Sequence, residues 1–350
     1  LNINSPYYRF PAEWENHEAT WLAWPHHSAD WPGKFAAIPW VFGEIARHIV
    51  AGEMLHLIVS DRAHELKARR VLEKIGVDLS RIRFFRIPTD RGWMRDSGPM
   101  FVQSQKRKTS ILRFQFNGWA KYSNWHKDNE TSTKASKTLK LPLTRVTNNG
   151  HNIVLEGGSI DLNGSGTLIT TEECLLDPKV QARNPGFSAA DYEEVFRTYL
   201  GASNVLWLGN GVAGDDTHGH IDDLCRFVNK TTVVLCEEKN PLDLNYMPLK
   251  ENRERLRSMK LETGSSIEVV SIPMPAPVVF EGRRLPASYA NFYFTNSCLL
   301  VPTFNDPNDR IALGILAELV TDRPVIGISA TDLIWGLGTI HCLTQQQPAV

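Results

Sequence analysis

The chain of 350 residues carries 38 lysines and arginines against 39 aspartates and glutamates, a formal charge of −1. That balance excludes both the basic footprint of a nucleic-acid binder and the acidic excess of a solvating chain, so a cationic substrate has to meet local carboxylates. No apolar run suits a membrane span, and LNINSPYYRFPAEWENHEATW has no charged n-region followed by an apolar core, so no leader is expected. The cysteines Cys174, Cys225, Cys236, Cys298 and Cys342 form an odd set without CxxC spacing. This argues against a disulfide framework or a zinc ribbon and for reduced thiols in a cytoplasm.

Apolar residues recurring at three and four predict helices, and short β-branched or aromatic runs between turn residues predict strands. EATWLAWP reads as a strand before the helix FGEIARHIVA, and the chain then passes through Asp61 and a further helix to the strand IRFFRIP, RDSGPMFVQ and the returning strand TSILRFQF. A second helix near NETSTKASKTLKL leads to LTRVTN and to NIVLEGGSIDLNGSGTLITT, a hairpin with a glycine-rich turn. In the third round Ser188 caps AADYEEVFRTYL, Gly201 ends it, NVLWLG is a strand, and HIDDLCRFVNKTTVVLCE folds back at Asn229 and Lys230. NYMPLKENRERLRSM, SIEVVSIP and the hairpin ANFYFTNSCLLVPTF make the fourth round; DRIALGILAELV, PVIGIS and IHCLTQQQP make the fifth. The Lys-rich QKRKTS and HKDNETSTKASKTLK read as solvated loop and helix faces, since no aromatic ladder accompanies them.

The fifth round lacks a last strand, and EATWLAWP otherwise has no neighbour. The pattern therefore predicts a single α/β unit over residues 1–350: a closed ring of five helix-strand-hairpin units, sealed by pairing the first and last strands, which removes two exposed edges. At the start of each hairpin, near the axis, stand Asp96, Glu156, His220 with Asp222, Cys342 and, in the fourth unit, Tyr289 and Asn291.

Cys342 lies between Gly336, Gly338 and a polar glutamine run, a setting unlike the apolar strands of the other cysteines. A thiolate there needs an electropositive neighbour or a bound cation. In GDDTHGHIDDL, a strand entered at His220 points His220 and Asp222 to one face and Ile221 to the other. Two chemistries fit that alternation, a divalent metal site or a general acid/base beside a cation-binding carboxylate; a solvated, capped turn suits Asp215 and Asp216 better than His220. Asp96 reads either as an Asx-turn before Ser97-Gly98-Pro99 or as a carboxylate at a strand end facing Asp222. Trp93 either packs or offers a ring face to a planar cation. Glu156, between a buried apolar run and two glycines, either pairs with an arginine or orients His220.

Together these groups fit a positive, planar substrate. Asp96 and Asp222 grip a guanidinium, the bound cation stabilises the Cys342 thiolate, and attack at the central carbon is followed by proton donation from His220 to departing ammonia. The same histidine then activates the water that releases a ureido product, and no cofactor is required.

FPAEWENHEATWLAWP, WMRDSGPMF, LEGGSID, DDTHGHIDDLCRF and GTIHCLTQQQP resemble the signature blocks of the agmatine deiminase family, a branch of the guanidino-group-modifying enzymes related to bacterial peptidylarginine deiminases. The blocks run from Pro11 to Pro348, nearly the whole chain. The resemblance implies a pseudo-five-fold α/β propeller, hydrolysis of agmatine to N-carbamoylputrescine and ammonia, and commonly a homodimer. By position it makes Cys342 the nucleophile, His220 the general acid/base, Asp96 and Asp222 the guanidinium carboxylates, and Glu156 the partner of the histidine. Leu337 and Thr339 depart from a block that is usually richer in glycine with Asn before Ile-His-Cys, and His218 replaces a residue that is polar or acidic in many relatives; these changes bear on the substrate tail. The rival readings are a deiminase of peptidyl arginine, which needs an open cleft, a metal-dependent ureohydrolase built on THGHIDD, and a non-enzymatic binding protein. Because strand pairing would position the nucleophile, deleting residues 1–25 is expected to abolish activity while every named site residue remains; a fully active truncation would overturn that dependence.

Overall fold

The computed structural model describes residues 8–104 and 108–350. Residues 1–7, at the head of the stretch read for a leader, and 105–107, within the QKRKTS loop, lie outside the described residues.

The chain folds into mixed α/β layers. Sequence chemistry fixes the clearest boundaries. The Asp61 side chain accepts from the His64 backbone N–H and starts helix Arg62–Ile75, and Gly76 ends it in the left-handed conformation. Ser188 and Asp191 form a reciprocal capping box ahead of Ala189–Val195, and Gly201 closes that helical segment.

One arrangement recurs in the sheets: an antiparallel hairpin, then a helix, then a strand that lies parallel to the second hairpin strand. Met100–Ser104 and Thr109–Arg113 are joined by Leu143–Arg145 after helix Thr131–Leu139, with Tyr8–Arg9 on the outer edge. Asp161–Leu162 and Thr167–Thr171 are joined by Asn204–Leu208. Cys225–Phe227 and Thr232–Glu237 are joined by Glu268–Pro273 after helix Tyr246–Ser258. Tyr293–Phe294 and Leu299–Thr303 are joined by Val325–Ser329 after helix Asn308–Leu319.

In the remaining large sheet the hairpin is replaced by the two ends of the chain. Thr344–Pro348 runs antiparallel to His17–Ala23, with Trp21 opposite Gln345 and Leu22 opposite Thr344. Helix Ile38–Val50 follows, and Met54–Val59 and Ile82–Arg86 extend the sheet in parallel. The expected pairing of first and last strands is therefore present. None of the sheets formed by the described residues closes on itself.

The expectation differs from the structure in four places. Met54–Val59 is a central strand that the reading of the first round passed over between its two helices. NIVLEGG stays outside its hairpin: Val154 bridges to Gln115, and Gly157–Ser159 form a 3-10 turn. His220 does not enter a strand, because Ile221–Asp223 are a 3-10 turn. Cys342 likewise lies on the helical turn Ile340–Leu343, one turn before the strand begins. Alternation along a strand therefore does not aim these side chains; helical turns at the strand entrances do.

The core follows the period of two in Met54–Val59. Leu55, Leu57 and Val59 bury one face with Phe42, Ile45 and Ile49 of the first helix, while Ile58 turns to the opposite face with Trp21 and Phe85. Trp21 is fully buried against the rings of His56, Phe85 and Phe101, and its indole N–H donates to Gln347 Oε1 at 3.0 Å. It thus links the apolar interior to the last strand. Trp21→Ala should cost about 3–5 kcal/mol, measured by denaturant unfolding. Trp21→Phe, which keeps most of the packing and loses the bond to Gln347, should cost less.

Candidate active site

The turns at the strand entrances converge below a cavity of about 440 Å³. Cys342, Asp96 and Trp93 line it, as do Trp119, Gly336, Leu337 and Gly338; Arg91, Asp216, Glu281 and Arg283 are among the residues toward its charged part. His220, Asp222 and Glu156 are buried directly behind these walls.

Distances tie the group together. Cys342 Sγ is 3.6 Å from Asp222 Oδ2. His220 Nδ1 is 3.8 Å from Asp96 Oδ1 and 4.0 Å from Asp222 Oδ1, and its Nε2 is 3.8 Å from Glu156 Oε2. Neither His220 Nε2 nor Asp222 Oδ1 has a hydrogen-bond partner, although both are buried. Buried polar atoms are rarely left unpaired, so Asp222 Oδ1, on the side of the cluster facing His220 Nδ1, is an acceptor open to a ligand donor.

Close approach of backbone makes this convergence possible. A Cβ on Gly158 would lie 2.6 Å from His220 Nδ1, 2.9 Å from Asp96 Oδ1 and 3.1 Å from Asp222 Oδ2. Only a glycine lets this turn enter the cluster, and its N–H donates to Asp96 Oδ1 at 3.0 Å. The other Asp96 oxygen accepts from the Trp119 indole at 2.9 Å. Asp96 thus makes no Asx-turn; it is held from two sides facing His220. Trp93 donates its indole N–H to Asp30 at 3.1 Å and packs on Trp31, leaving part of its ring on the cavity wall.

The electrostatics are those of an anionic site. Burial pushes the Asp96 carboxyl up to about 6, with Asp222 and Glu156 adding to the shift against the opposing effect of His220. Burial also drives the Cys342 thiol well above its usual range, reinforced by Asp222, Asp223 and Asp96. For His220 burial opposes the charged ring, but Asp96, Cys174 and Glu156 prevail and hold its pKa well above the ordinary value. Glu156 behaves oppositely to Asp96: burial would raise it, yet the Arg183 guanidinium brings it down to about 2. Arg183 Nε lies 3.1 Å from Glu156 Oε1, both side chains being fully buried. Of the two readings of Glu156, the arginine pair is present, while His220 Nε2 stands 3.8 Å away, beyond hydrogen-bond distance.

The sequence reading missed the supports. His341 places one ring nitrogen 2.7 Å from Asp222 and the other 2.8 Å from Glu13. Glu13 also pairs with Arg95 and Arg226, each at 3.1 Å. Asp215 accepts from the backbone N–H groups of Gly219 and His220 and fixes that turn. Asn291 reaches Cys342, whereas Tyr289 turns away to Asp309. His341 and Glu13 did lie within the quoted blocks, but burial and pairing are invisible without the fold.

THGHIDD does not converge. His218 pairs with Asp177 and Glu173 on another side, while His220 groups with Glu156 and Cys174, and Asp222 with Asp223 and Cys342. Of the departures noted, Leu337 lines the cavity and takes a positive φ of 67°, a conformation that favours glycine. Thr339 is buried on Asn291.

Residues 9–348 match the model of the Porphyromonas-type peptidyl-arginine deiminase. The chain belongs to that family. An agmatine deiminase of Pseudomonas aeruginosa (strain LESB58) is 33% identical, over 98% of this chain and 96% of that protein. Among solved structures of similar build, the agmatine deiminase of Enterococcus faecalis has a TM-score of 0.88 at 28% identity, covering 99% of this chain and 98% of that one. A C. jejuni agmatine deiminase variant with substrate bound has a TM-score of 0.86 at 29% identity, covering 99% and 98%.

Within this family member, removing Glu13 leaves Arg95 buried without a carboxylate and Arg226 with Asp161 alone. Glu13→Ala should destabilise the fold by about 3–5 kcal/mol at neutral pH. Although burial would raise the Glu13 pKa, Arg226 and His341 depress it well below the usual value. The stability it contributes is therefore present above the unfolded carboxylate pKa and is lost as pH falls through the folded one. Unfolding curves across that acid range should show a weaker pH dependence in Glu13→Gln than in the parent chain.

Proposed function

We propose that this chain hydrolyses a guanidino group through Cys342, with agmatine as substrate and N-carbamoylputrescine and ammonia as products. The observation that carries the reading is the convergence of Asp96, Asp222 and the Nδ1 side of His220 on the Cys342 thiol, with Asp222 Oδ1 buried and unpartnered. A guanidinium presents several N–H donors in one plane and a positive charge, which answers both the vacant acceptor and the surplus of carboxylates. The names of the relatives support agmatine over other guanidines.

In this mechanism Asp96 and Asp222 hold the guanidinium, and its charge makes the thiolate of Cys342 favourable, the thiol proton leaving to solvent as the cation binds. Sulfur attacks the central carbon. His220, kept protonated by Asp96 and Glu156, gives its proton to the departing nitrogen, ammonia leaves, and an S-alkyl thiouronium remains. Water then attacks the same carbon and His220 takes one of its protons; collapse releases the thiolate and the ureido product, the remaining hydroxyl proton passing to solvent. Arg183 keeps Glu156 ionised, so Glu156 acts on the histidine as a fixed anion and not as a proton acceptor. Trp93 forms part of the wall beside the substrate. No step calls for a cofactor.

The architecture we propose for this activity is one catalytic domain over residues 1–350, the five similarly built sheets standing round a common axis as a pseudo-five-fold α/β propeller. The like order of strands in each sheet and the pairing of His17–Ala23 with Thr344–Pro348 support it. Buried ties between sheets support it too, such as Arg226 to Asp161 at 3.0 Å and to the Phe292 carbonyl at 3.0 Å. Among the described residues no helix is long and apolar enough to cross a membrane. The five buried cysteines, none in a disulfide, fit a reducing compartment such as the cytoplasm.

Ammonia release from agmatine, free arginine and an arginyl peptide tests the substrate: agmatine should be preferred, and preference for the peptide would move the reading to the other activity named in the family. Cys342→Ser should abolish turnover, whereas full activity in that variant would overturn the thiol mechanism. Because substrate binding needs ionised Asp96, kcat/KM should fall as pH drops through about 6. The basic limb should lie above neutrality, where His220 loses its proton.

A further inference from the structure

Three carboxylates, Asp222, Asp223 and Asp96, surround Cys342 and oppose its ionisation. A guanidinium offsets them while it is bound, but the sulfur must also leave as a thiolate when the second tetrahedral intermediate collapses. A neutral hydrogen-bond donor fixed on Sγ would serve both steps.

Asn291 occupies that position. Its amide orientation is set by the surrounding groups: Oδ1 accepts from the Thr339 hydroxyl at 2.7 Å and from the backbone N–H groups of His341 at 3.0 Å and Cys342 at 3.4 Å. Backbone N–H groups can only donate, so the oxygen must face them and the NH₂ must face the other way. There Nδ2 donates to Asp223 Oδ1 at 2.9 Å and to Cys342 Sγ at 3.1 Å. The side chain is fully buried, and the Asn291 carbonyl also accepts from His341 N–H at 3.2 Å. One residue therefore holds the turn that carries the cysteine and directs an N–H at its sulfur.

We infer that Asn291 is a catalytic residue of this site, donating a hydrogen bond to the Cys342 thiolate during attack and again when the thiolate is expelled. Asp223 orients the donor by binding the second amide proton. The neutral thiol has its own acceptors, Asp222 Oδ2 at 3.6 Å and Asn291 Oδ1 at 3.5 Å. When the proton leaves, these acceptor contacts become unfavourable, and the Nδ2 contact, beside a backbone contact at Thr339, is favourable to the anion. The inference rests on the proposed role of Cys342 as nucleophile, and its test is read on the thiol itself, independently of substrate identity.

The test is the rate of iodoacetamide labelling at Cys342, followed by peptide mass spectrometry from pH 7 to 10.5 in folded protein. Asn291→Ser should slow labelling at least tenfold at a fixed pH and move the labelling midpoint upward, about tenfold in rate corresponding to one pH unit of thiolate population. Asn291→Asp has nearly the same size and replaces the donor by an acceptor, so it should give a larger upward shift and serves where the serine variant does not fold. Thr339→Val loosens the oxygen side but keeps the donor, and should shift the midpoint least. With agmatine, kcat should fall in Asn291→Ser while KM changes little. An unchanged labelling midpoint in either folded Asn291 variant overturns the inference. A shifted midpoint without turnover of agmatine by the parent chain would support Asn291 and reject the substrate.

Discussion

The site depends on one carboxylate that never meets the cavity. Glu13, from the segment ahead of the first strand of the terminal sheet, binds His341, Arg95 and Arg226 and accepts from the Phe294 backbone N–H. Those partners come from different hairpins and from the last helical turn. Taking so many charges out of water would be unfavourable if any partner were missing, and in a low-dielectric interior a complete set is rigid. His341 passes that rigidity to Asp222, and the backbone after His341 carries Cys342. Glu13 therefore sets the position of a thiol that is far from it in sequence.

Around that fixed point the charges sort the chemistry. Asp96 and Glu156 are buried carboxylates a few ångströms from the same imidazole, yet one is pushed up to about 6 and the other down to about 2, because Arg183 stands beside only the second. Asp96 faces the cavity, and its one cationic neighbour, the His220 ring, is shared with Glu156. Its charge is compensated fully only when something positive arrives. The same logic keeps the thiol protonated until then, so proposed recognition and proposed activation are one electrostatic event.

Much of this was legible in the residues. The cap at Ser188, the glycine end at Gly201 and β-branched runs gave most elements because local chemistry decides them. Pairing of the terminal strands followed from an orphan strand at one end and a missing one at the other. The convergence of Asp96, Glu156, His220, Asp222 and Cys342 was readable because each stands at the same place in its round. Met54–Val59 was lost because a short apolar run between two helices has no alternation to distinguish it. Aim was lost as well: His220 and Cys342 sit on helical turns whose form depends on contacts such as Asp215 to His220 and Asn291 to Cys342. Arg183 had no local signal at all, since a lone arginine in a loop becomes informative only when the fold buries it on a glutamate.

The acidic ring around Cys342 has an effect outside turnover. Peroxides and electrophilic metabolites react with thiolates far faster than with thiols. With the cavity empty, sulfur is held in its protonated, poorly reactive form by the neighbours that would welcome a substrate. For the nucleophile proposed above, the carboxylates that answer a cation therefore also restrain reaction with small oxidants while no cation is bound.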